Sequence, residues 1–251
     1  MKDDERDGAG GVAPPGEGAV EVAFGEVLPQ DAPVRRRLQA RRLLRAEVFY
    51  AAALAAFAAL TLTVSLNPRI TLDERAAVAW QSVPGLFEFM RLVSVPGDRW
   101  IPHALTTLTV LILLLLQRFS EAGSLALSTG GGALLSRTLK EFIGRPRPSS
   151  EVVEVFRVID TKSFPSGHVT FYVCYFGFLF FVAYAVLPRG SLRRRLALLL
   201  TGLPVLLVGP SRVYLGEHWP SDTLGAYLMS GLWLALCLDL YRRWKKTKRA
   251  K

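Results

Sequence analysis

From residue 48 onward the chain alternates between long apolar runs and short polar breaks. Apolar runs cover residues 48–66, 100–116, 123–139, 168–187, 196–212 and 222–240. Each is close to the roughly 20 residues an α-helix needs to cross a bilayer, so the pattern predicts an all-α, polytopic membrane helix bundle with six transmembrane helices. Residues 70–98 are too broken to span. Leu72, Ala76, Ala79 and Val83 recur there at helical spacing, with Asp73, Glu74 and Arg75 among them. Pro84-Gly85 interrupts, and Leu86, Phe87, Phe89, Met90 and Val93 make a second apolar patch. Two short interfacial helices between the first two spans are expected, serving packing or lipid access. Residues 1–33 are acidic, rich in Gly, Pro and Ala, and without periodicity, which predicts a disordered tail. They do not read as a secretory signal, because the charge is wrong and no apolar core follows promptly. One six-span domain is expected over residues 34–251.

Charge settles the orientation of this layout. The formal net charge is +10, which would suit nucleic acid, but the basic residues cluster beside the apolar runs. Arg35, Arg36, Arg37, Arg41, Arg42 and Arg45 precede the first span, on a segment expected to lie along the membrane surface as a short amphipathic helix. Arg189, Arg193, Arg194 and Arg195 fill the loop after the fourth span, and Arg242, Arg243, Lys245 and Lys246 open the C-terminal tail. Six spans put all three segments on one side, which the positive-inside rule makes cytoplasmic. No nucleic-acid partner is expected. Cys174 and Cys237 both fall in spans, so they imply packing and no disulfide framework. His103, near the start of the second span, reads as an interfacial residue, and Gly130-Gly131-Gly132-Ala133 in the third as a site of close helix contact. No P-loop Lys-Ser/Thr follows those glycines. Arg137, near the end of that span, can snorkel or face the site.

The polar breaks on the opposite side carry the chemistry. The first is Lys140-Glu141-Phe142-Ile143-Gly144-Arg145-Pro146-Arg147-Pro148, and the second is Phe164-Pro165-Ser166-Gly167-His168 at the start of the fourth span. The third is Ser211-Arg212-Val213-Tyr214-Leu215-Gly216-Glu217-His218-Trp219-Pro220-Ser221-Asp222. They fall at the end of span three, the start of span four, the end of span five and the start of span six, so connectivity alone gathers them on one face. Taken singly, Pro-Ser-Gly is turn material, and each cation reads as a snorkelling residue. Together they suit phosphate chemistry. Lys140, Arg147 and Arg212 can hold anionic oxygens. Ser166 is a good N-cap residue, and the amides near Ser166 and Gly167 at a helix start make an anion site. His218 lies four residues before Asp222, whose carboxylate would fix one ring nitrogen and leave the other free to attack phosphorus. His168 can protonate a leaving oxygen and later activate water. Spacing alone does not order the two histidines. No carboxylate cluster for Mg²⁺ or paired metals appears, so neither metal nor other cofactor is expected.

Read as K-x6-R-P, P-S-G-H and S-R-x5-H-x3-D, in that order, the three breaks match at every fixed position. The chain thereby resembles the type 2 phosphatidic acid phosphatase superfamily, the lipid phosphate phosphatases related to vanadium haloperoxidases and bacterial acid phosphatases. The motifs run from Lys140 to Asp222, and the hydrophobic layout extends the likeness from about residue 46 to the C-terminus. The resemblance implies a catalytic set of His218 as nucleophile through a phosphohistidine, His168 as general acid and Asp222 orienting His218. It further implies that Lys140, Arg147 and Arg212 bind the phosphoryl oxygens, with Ser166 and Gly167 as hydrogen-bonding groups. The expected function is hydrolysis of a lipid phosphate or diphosphate, of the undecaprenyl diphosphate, phosphatidylglycerophosphate, phosphatidate or diacylglycerol diphosphate type. The expected location is the cell inner membrane or plasma membrane, with the active site on the extracytoplasmic face. Two alternatives stand beside it. A lipid phosphotransferase would differ in its products. A non-catalytic lipid transporter fits six spans equally well but gives no reason to keep two histidines, Asp222 and three cations together.

Overall fold

The computed structural model describes residues 32–249; the tail expected over residues 1–33 lies, but for its last two residues, outside them. Eight α-helices occur among the described residues: α1 (Ala32–Leu66), α2 (Thr71–Gln81), α3 (Phe87–Ser94), α4 (Ile101–Leu115), α5 (Phe119–Ile143), α6 (Gly167–Val186), α7 (Leu192–Tyr214) and α8 (Pro220–Arg249). A single 3₁₀ turn, Val95–Gly97, follows α3. No strand is present among them, as the apolar pattern predicts. Two short helices, α2 and α3, stand where the sequence places interfacial segments. The basic stretch before the first span shows no separate helix, because α1 starts at Ala32 and continues through it.

Length and composition qualify four helices to cross a membrane: Ala46–Leu66, Gly167–Val186, Leu192–Tyr214 and Pro220–Lys246. A fifth appears if Phe87–Gly97 and Ile101–Leu115, bent by 53° at their break, are taken together. α4 alone has 15 residues, about 22 Å of helix, short of the ~30 Å hydrocarbon core. α5 is long enough at 25 residues, but its Ser, Thr and Gly content and its charged residues lower its hydropathy.

α6 is the hub of the bundle, packing against α5, α7 and α8. Its aromatic-rich sequence supplies the core: Val169, Tyr172 and Val173 pack with Val208 of α7 and Ala226 of α8. Tyr175 and Phe178 pack with Leu125 of α5 and with Leu105, Val110 and Leu113 of α4. The glycines of α5 sit where neighbouring helices press closest. A Cβ on Gly131 would come within 2.2 Å of the Trp233 ring, and one on Gly132 within 2.6 Å of the Cys174 sulfur. Trp233 Nε1 also donates to the Ser128 carbonyl at 3.0 Å. At Gly209-Pro210, near the end of α7, the Tyr227 hydroxyl enters the helix ladder. It accepts from Gly209 N–H at 3.0 Å and donates to the Val205 carbonyl at 2.6 Å, an insertion of the kind that loosens a helix.

The α2–α3 segment is fastened to α7 by long-range hydrogen bonds. Trp80 Nε1 donates to Pro210 O (2.9 Å), Tyr214 OH to Val83 O (2.7 Å) and Ser211 Oγ to Met90 O (2.6 Å). Tyr172 OH of α6 reaches Val93 O at 2.5 Å. These bonds hold residues 83–98 across the end of the bundle at which α5 and α7 end and α6 and α8 begin.

The close α5–α8 contact sets a test of packing. Gly131→Val should lower stability by about 1–3 kcal/mol through overpacking against Trp233. Gly130→Ala, whose Cβ would meet nothing within 4 Å, should lower it not at all, since alanine favours the helix. Thermal unfolding in detergent micelles compares the two.

Candidate active site

Three chain reversals at one end of the bundle place the motif side chains. α7 ends at Tyr214, and Glu217 N–H and His218 N–H both fold back to the Arg212 carbonyl, at 3.1 and 3.3 Å. Gly216 makes this turn with φ +63°, and a Cβ there would lie 2.0 Å from the Glu154 carbonyl oxygen. Only glycine combines that dihedral with that approach. α8 then starts on Pro220, a favoured first helical residue. The Asp222 carboxylate in its first turn reaches back to accept Trp219 N–H at 2.9 Å, half of a capping box. The cap therefore fixes the carboxylate beside His218.

Lys140, Arg147, Gly167, His168, Arg212 and His218 line one cavity of about 350 Å³. The other two predicted residues, Ser166 and Asp222, are fully buried behind its wall. Ser166 occupies the N-cap position of α6 but its side chain makes no capping bond, and its Oγ is buried with no partner. Its own N–H is already engaged by the Asp222 carbonyl at 3.2 Å. Of the amide pair expected at this helix start, the Gly167 side alone faces the cavity.

His218 is 2 % exposed. Its Nδ1 lies 3.4 Å from Asp222 Oδ2 and 3.4 Å from Ser163 Oγ, while Nε2 lies 3.1 Å from Arg147 Nη1. A guanidinium can only donate, so its bond to Nε2 makes Nε2 the acceptor and puts the ring proton on Nδ1, toward Asp222. Burial, followed by the positive charges of Arg147, Lys140 and Arg212, holds the His218 imidazole well below the usual histidine range. The ring is therefore neutral, with a lone pair turned to the cavity.

Two of the cations, Lys140 and Arg147, rest on neutral acceptors. Lys140 Nζ donates to the carbonyls of Lys162 (2.7 Å) and Ser163 (3.2 Å). Arg147 donates to Thr161 O (2.7 Å), Glu217 O (2.6 Å) and Thr161 Oγ1 (3.0 Å). Burial lowers Arg147 to about 10, with Asp222 opposing the shift, so it stays charged near neutrality. Arg212, fully buried, bonds Ser94 Oγ and pairs with the Glu217 carboxylate. Lys140, Arg147 and Arg212 thus meet whatever enters beside His218.

Sequence reasoning missed a second set of residues. Arg145, inside the first motif but not one of its fixed positions, is 1 % exposed. It bonds Asp222 Oδ1 (2.6 Å), Asp73 Oδ2 (2.7 Å), Ser221 Oγ (2.6 Å) and Pro68 O (3.0 Å). Ser163 Oγ donates to Asp222 Oδ2. Asp98, in the break before α4, lies 3.0 Å from His168 Nε2 and takes Arg157 Nη2 at 2.7 Å. Burial opposes its charge, but these bonds hold its carboxyl well below the usual range. Gly97 packs on the His168 ring so closely that a Cβ would sit 2.3 Å from Cδ2. The sequence offered one signal for these: a helix with three consecutive charges, Asp73-Glu74-Arg75, in an otherwise apolar context.

A family model described as the PAP2 superfamily matches residues 121–246, which contain all eight predicted residues. The chain belongs to the PAP2 superfamily. This PAP2 protein is 35 % identical over 99 residues to phosphatidylglycerophosphatase B of Bacillus subtilis (strain 168), a match covering 39 % of the chain and 47 % of that relative. The match thus spans about half the relative's length. The fold is similar to the crystal structure of a transmembrane PAP2-type phosphatidylglycerolphosphate phosphatase from Bacillus subtilis. The TM-score is 0.68 at 25 % identity, over 77 % of this chain and 96 % of that one. It is similar at the level of fold to Aquifex aeolicus LpxE, with TM-score 0.52 and 21 % identity over 69 % and 98 % of the two chains. With its apolar helices, the PAP2 protein is an integral membrane protein.

Arg145 gives a stability test of the site's foundation. Asp73→Ala removes one of two carboxylates facing a fully buried guanidinium and should cost about 3–5 kcal/mol. Glu88→Ala breaks a pair whose side chains are 52 % and 72 % exposed and should cost under about 1 kcal/mol. Chemical or thermal unfolding of the two variants side by side is the measurement.

Proposed function

We propose that the protein is a lipid phosphatase that hydrolyses a lipid phosphate or diphosphate, of the phosphatidylglycerophosphate type, through a phosphohistidine. One observation carries this reading: a neutral His218, its Nε2 lone pair facing a cavity ringed by Lys140, Arg147 and Arg212. A phosphate monoester resists attack because its oxygens repel nucleophiles and its alkoxide leaves poorly. The three cations answer the first difficulty by holding the oxygens, with arginine offering two parallel donors. His168 answers the second.

The reaction then runs in two displacements. As Arg147 turns from Nε2 to the phosphoryl oxygens, His218 Nε2 donates its lone pair to phosphorus and the P–O bond to the lipid breaks, the departing electron pair taking the proton of protonated His168. The lipid alcohol leaves. An arriving phosphate dianion favours the protonated form of His168, and Asp222 stabilises the positive His218 ring through Nδ1–H. In the second displacement His168 accepts a proton from water, the hydroxide oxygen bonds phosphorus, and the P–N bond returns its electrons to His218. Inorganic phosphate departs and both histidines are restored. No step calls on a metal, so turnover should continue in chelator. Gly97 and Asp98 set the position of His168 and so act as positioning residues.

In this reading α1, the bent α3–α4 pair and α5 through α8 make six crossings, with residues 34–251 as one domain, and the start of α1 and the end of α8 share the cytoplasmic side. The ends of α5 and α7 and the starts of α6 and α8 then lie outside. The basic loop carrying Arg193, Arg194 and Arg195 at the other end of the bundle supports this assignment.

Two experiments check the reading. His218→Ala should abolish phosphate release from every substrate, whereas His168→Ala should lose 10²–10⁴-fold on a lipid monoester yet still give a burst of nitrophenolate from an aryl phosphate, leaving acid-labile phosphate on the protein. A burst from His218→Ala and none from His168→Ala would reverse the roles. For orientation, cysteine at Ser149 should react with an impermeant thiol reagent in intact cells and cysteine at Ser191 should not. Cys174 and Cys237 are buried and give little background.

A further inference from the structure

A second cavity, of about 440 Å³, opens between α4, α5 and α6 and shares Gly97, Lys140 and Gly167 with the first. It is the route by which a lipid's leaving portion can run from the scissile phosphate into the bundle. An apolar groove on α3 and α7, lined by Phe89, Leu92 and Leu203, shares no residue with the site. The 440 Å³ cavity is lined by apolar side chains such as Ala133 and Phe171, and also by Arg137, His103 and Ser136.

Those three polar groups have no work inside the protein. Arg137 is exposed and makes no hydrogen bond or ion pair among the described residues. Ser136 is 4 % exposed, and its Oγ is buried with no partner. His103 offers a donor from whichever ring nitrogen carries the proton. On the wall of a largely apolar cavity, a buried hydroxyl with no partner beside an unpaired arginine suits a polar occupant. Arg137 precedes Lys140 by three residues, so the two share a helix face and stand about 4.5 Å apart along the α5 axis. A cation and a free hydroxyl at that offset fit oxygens carried one linkage away from the phosphate that Lys140 holds.

We propose that Arg137, with Ser136 and His103, binds a second anionic group on the lipid's leaving portion, and so selects substrates that carry two phosphates over those that carry one. The class includes lipid diphosphates and lipids with a phosphodiester a few bonds from the terminal monoester. Phosphatidate, whose leaving portion is neutral, lies outside it. The proposal rests on the lipid-phosphatase reading above and extends it from the reacting phosphorus to the choice of lipid.

The test measures kcat/KM for phosphatidylglycerophosphate, a polyprenyl diphosphate and phosphatidate with matched acyl chains, in the same detergent. Loss of a charge-assisted bond should lower the ratio of either two-phosphate lipid to phosphatidate by about 10- to 100-fold in Arg137→Gln, mainly through KM. Arg137→Lys should restore part of it. A fall for one two-phosphate lipid alone identifies which spacing the subsite accepts. Ser136→Ala, a deletion of one oxygen that the fold tolerates, should lower the same ratio a few-fold. Unchanged ratios in both variants overturn the proposal and return Arg137 to the role of a snorkelling side chain. If the wild-type protein hydrolyses none of the three lipids, the phosphatase reading fails and binding decides the subsite. Phosphatidylglycerophosphate should then raise the unfolding temperature of wild type more than that of Arg137→Gln, and equal shifts overturn it.

Discussion

The site depends on one buried guanidinium. Arg145 is held between Asp73 of α2 and Asp222 of α8, with a further bond to the carbonyl of Pro68 just past α1. Taking a cation and two carboxylates out of water costs several kcal/mol per ion and is recovered only when nearly every donor and acceptor is met. Here the guanidinium donates to both carboxylates, and Ser221 closes the ring by giving its N–H and hydroxyl to Asp73 at 2.9 and 2.5 Å. The arrangement gives little stability for its charge, but it leaves Asp222 a single orientation. That orientation turns Oδ2 to His218 and to Ser163, and so selects the histidine tautomer whose Nε2 is unprotonated.

The cations around His218 obey a different rule. Lys140 and Arg147 are anchored by backbone carbonyls and a threonine hydroxyl. Such acceptors fix a side chain without cancelling its charge. Arg212 and Arg157 instead share the Glu217 carboxylate, which limits the repulsion that four neighbouring cations would otherwise generate. The same positive field that suits a phosphate also keeps His218 neutral, since burial and Arg147, Lys140 and Arg212 all act against its protonation. Anion affinity and an unprotonated Nε2 are therefore one electrostatic condition.

Much of this could be read from the chain. Long apolar runs with polar breaks show where helices begin and end, because only hydrogen-bonded helices carry apolar sequence through lipid. The spacing of Lys140, Arg147, His168, Arg212 and His218 anticipates the residues the cavity gathers, since short breaks between antiparallel helices must meet at one end. The supporting residues were illegible for a physical reason: their partners are remote. Asp73 and Arg145 are separated by 72 positions, and Asp98 and His168 by 70, so no local periodicity links them. A buried aspartate on α2 looks, in sequence, like any polar position on a short interfacial helix. Six spans are expected from the sequence, whereas four helices, or five with the bent pair, have the length and composition to cross. α5 carries small and polar residues where Trp233 and Cys174 approach, which lowers its hydropathy.

The break between α3 and α4 joins these two failures. Irregular backbone at membrane depth is tolerated only where protein or a polar cavity covers it. Here Phe87–Gly97 and Ile101–Leu115 meet at 53°, and the residues left between them are those that face the site. Gly97 packs on the His168 ring, Asp98 bonds His168 and Arg157, and Ser94 just before them bonds Arg212. Ser94, Gly97 and Asp98 are spaced i, i+3 and i+4, so α3 and the 3₁₀ turn that extends it bring them to one wall, and the break that follows lets α4 leave that wall at an angle. The interruption that makes this segment look unable to span thus begins at the wall that Gly97 and Asp98 form against His168, and a polar cavity is a setting in which such an interruption is tolerated.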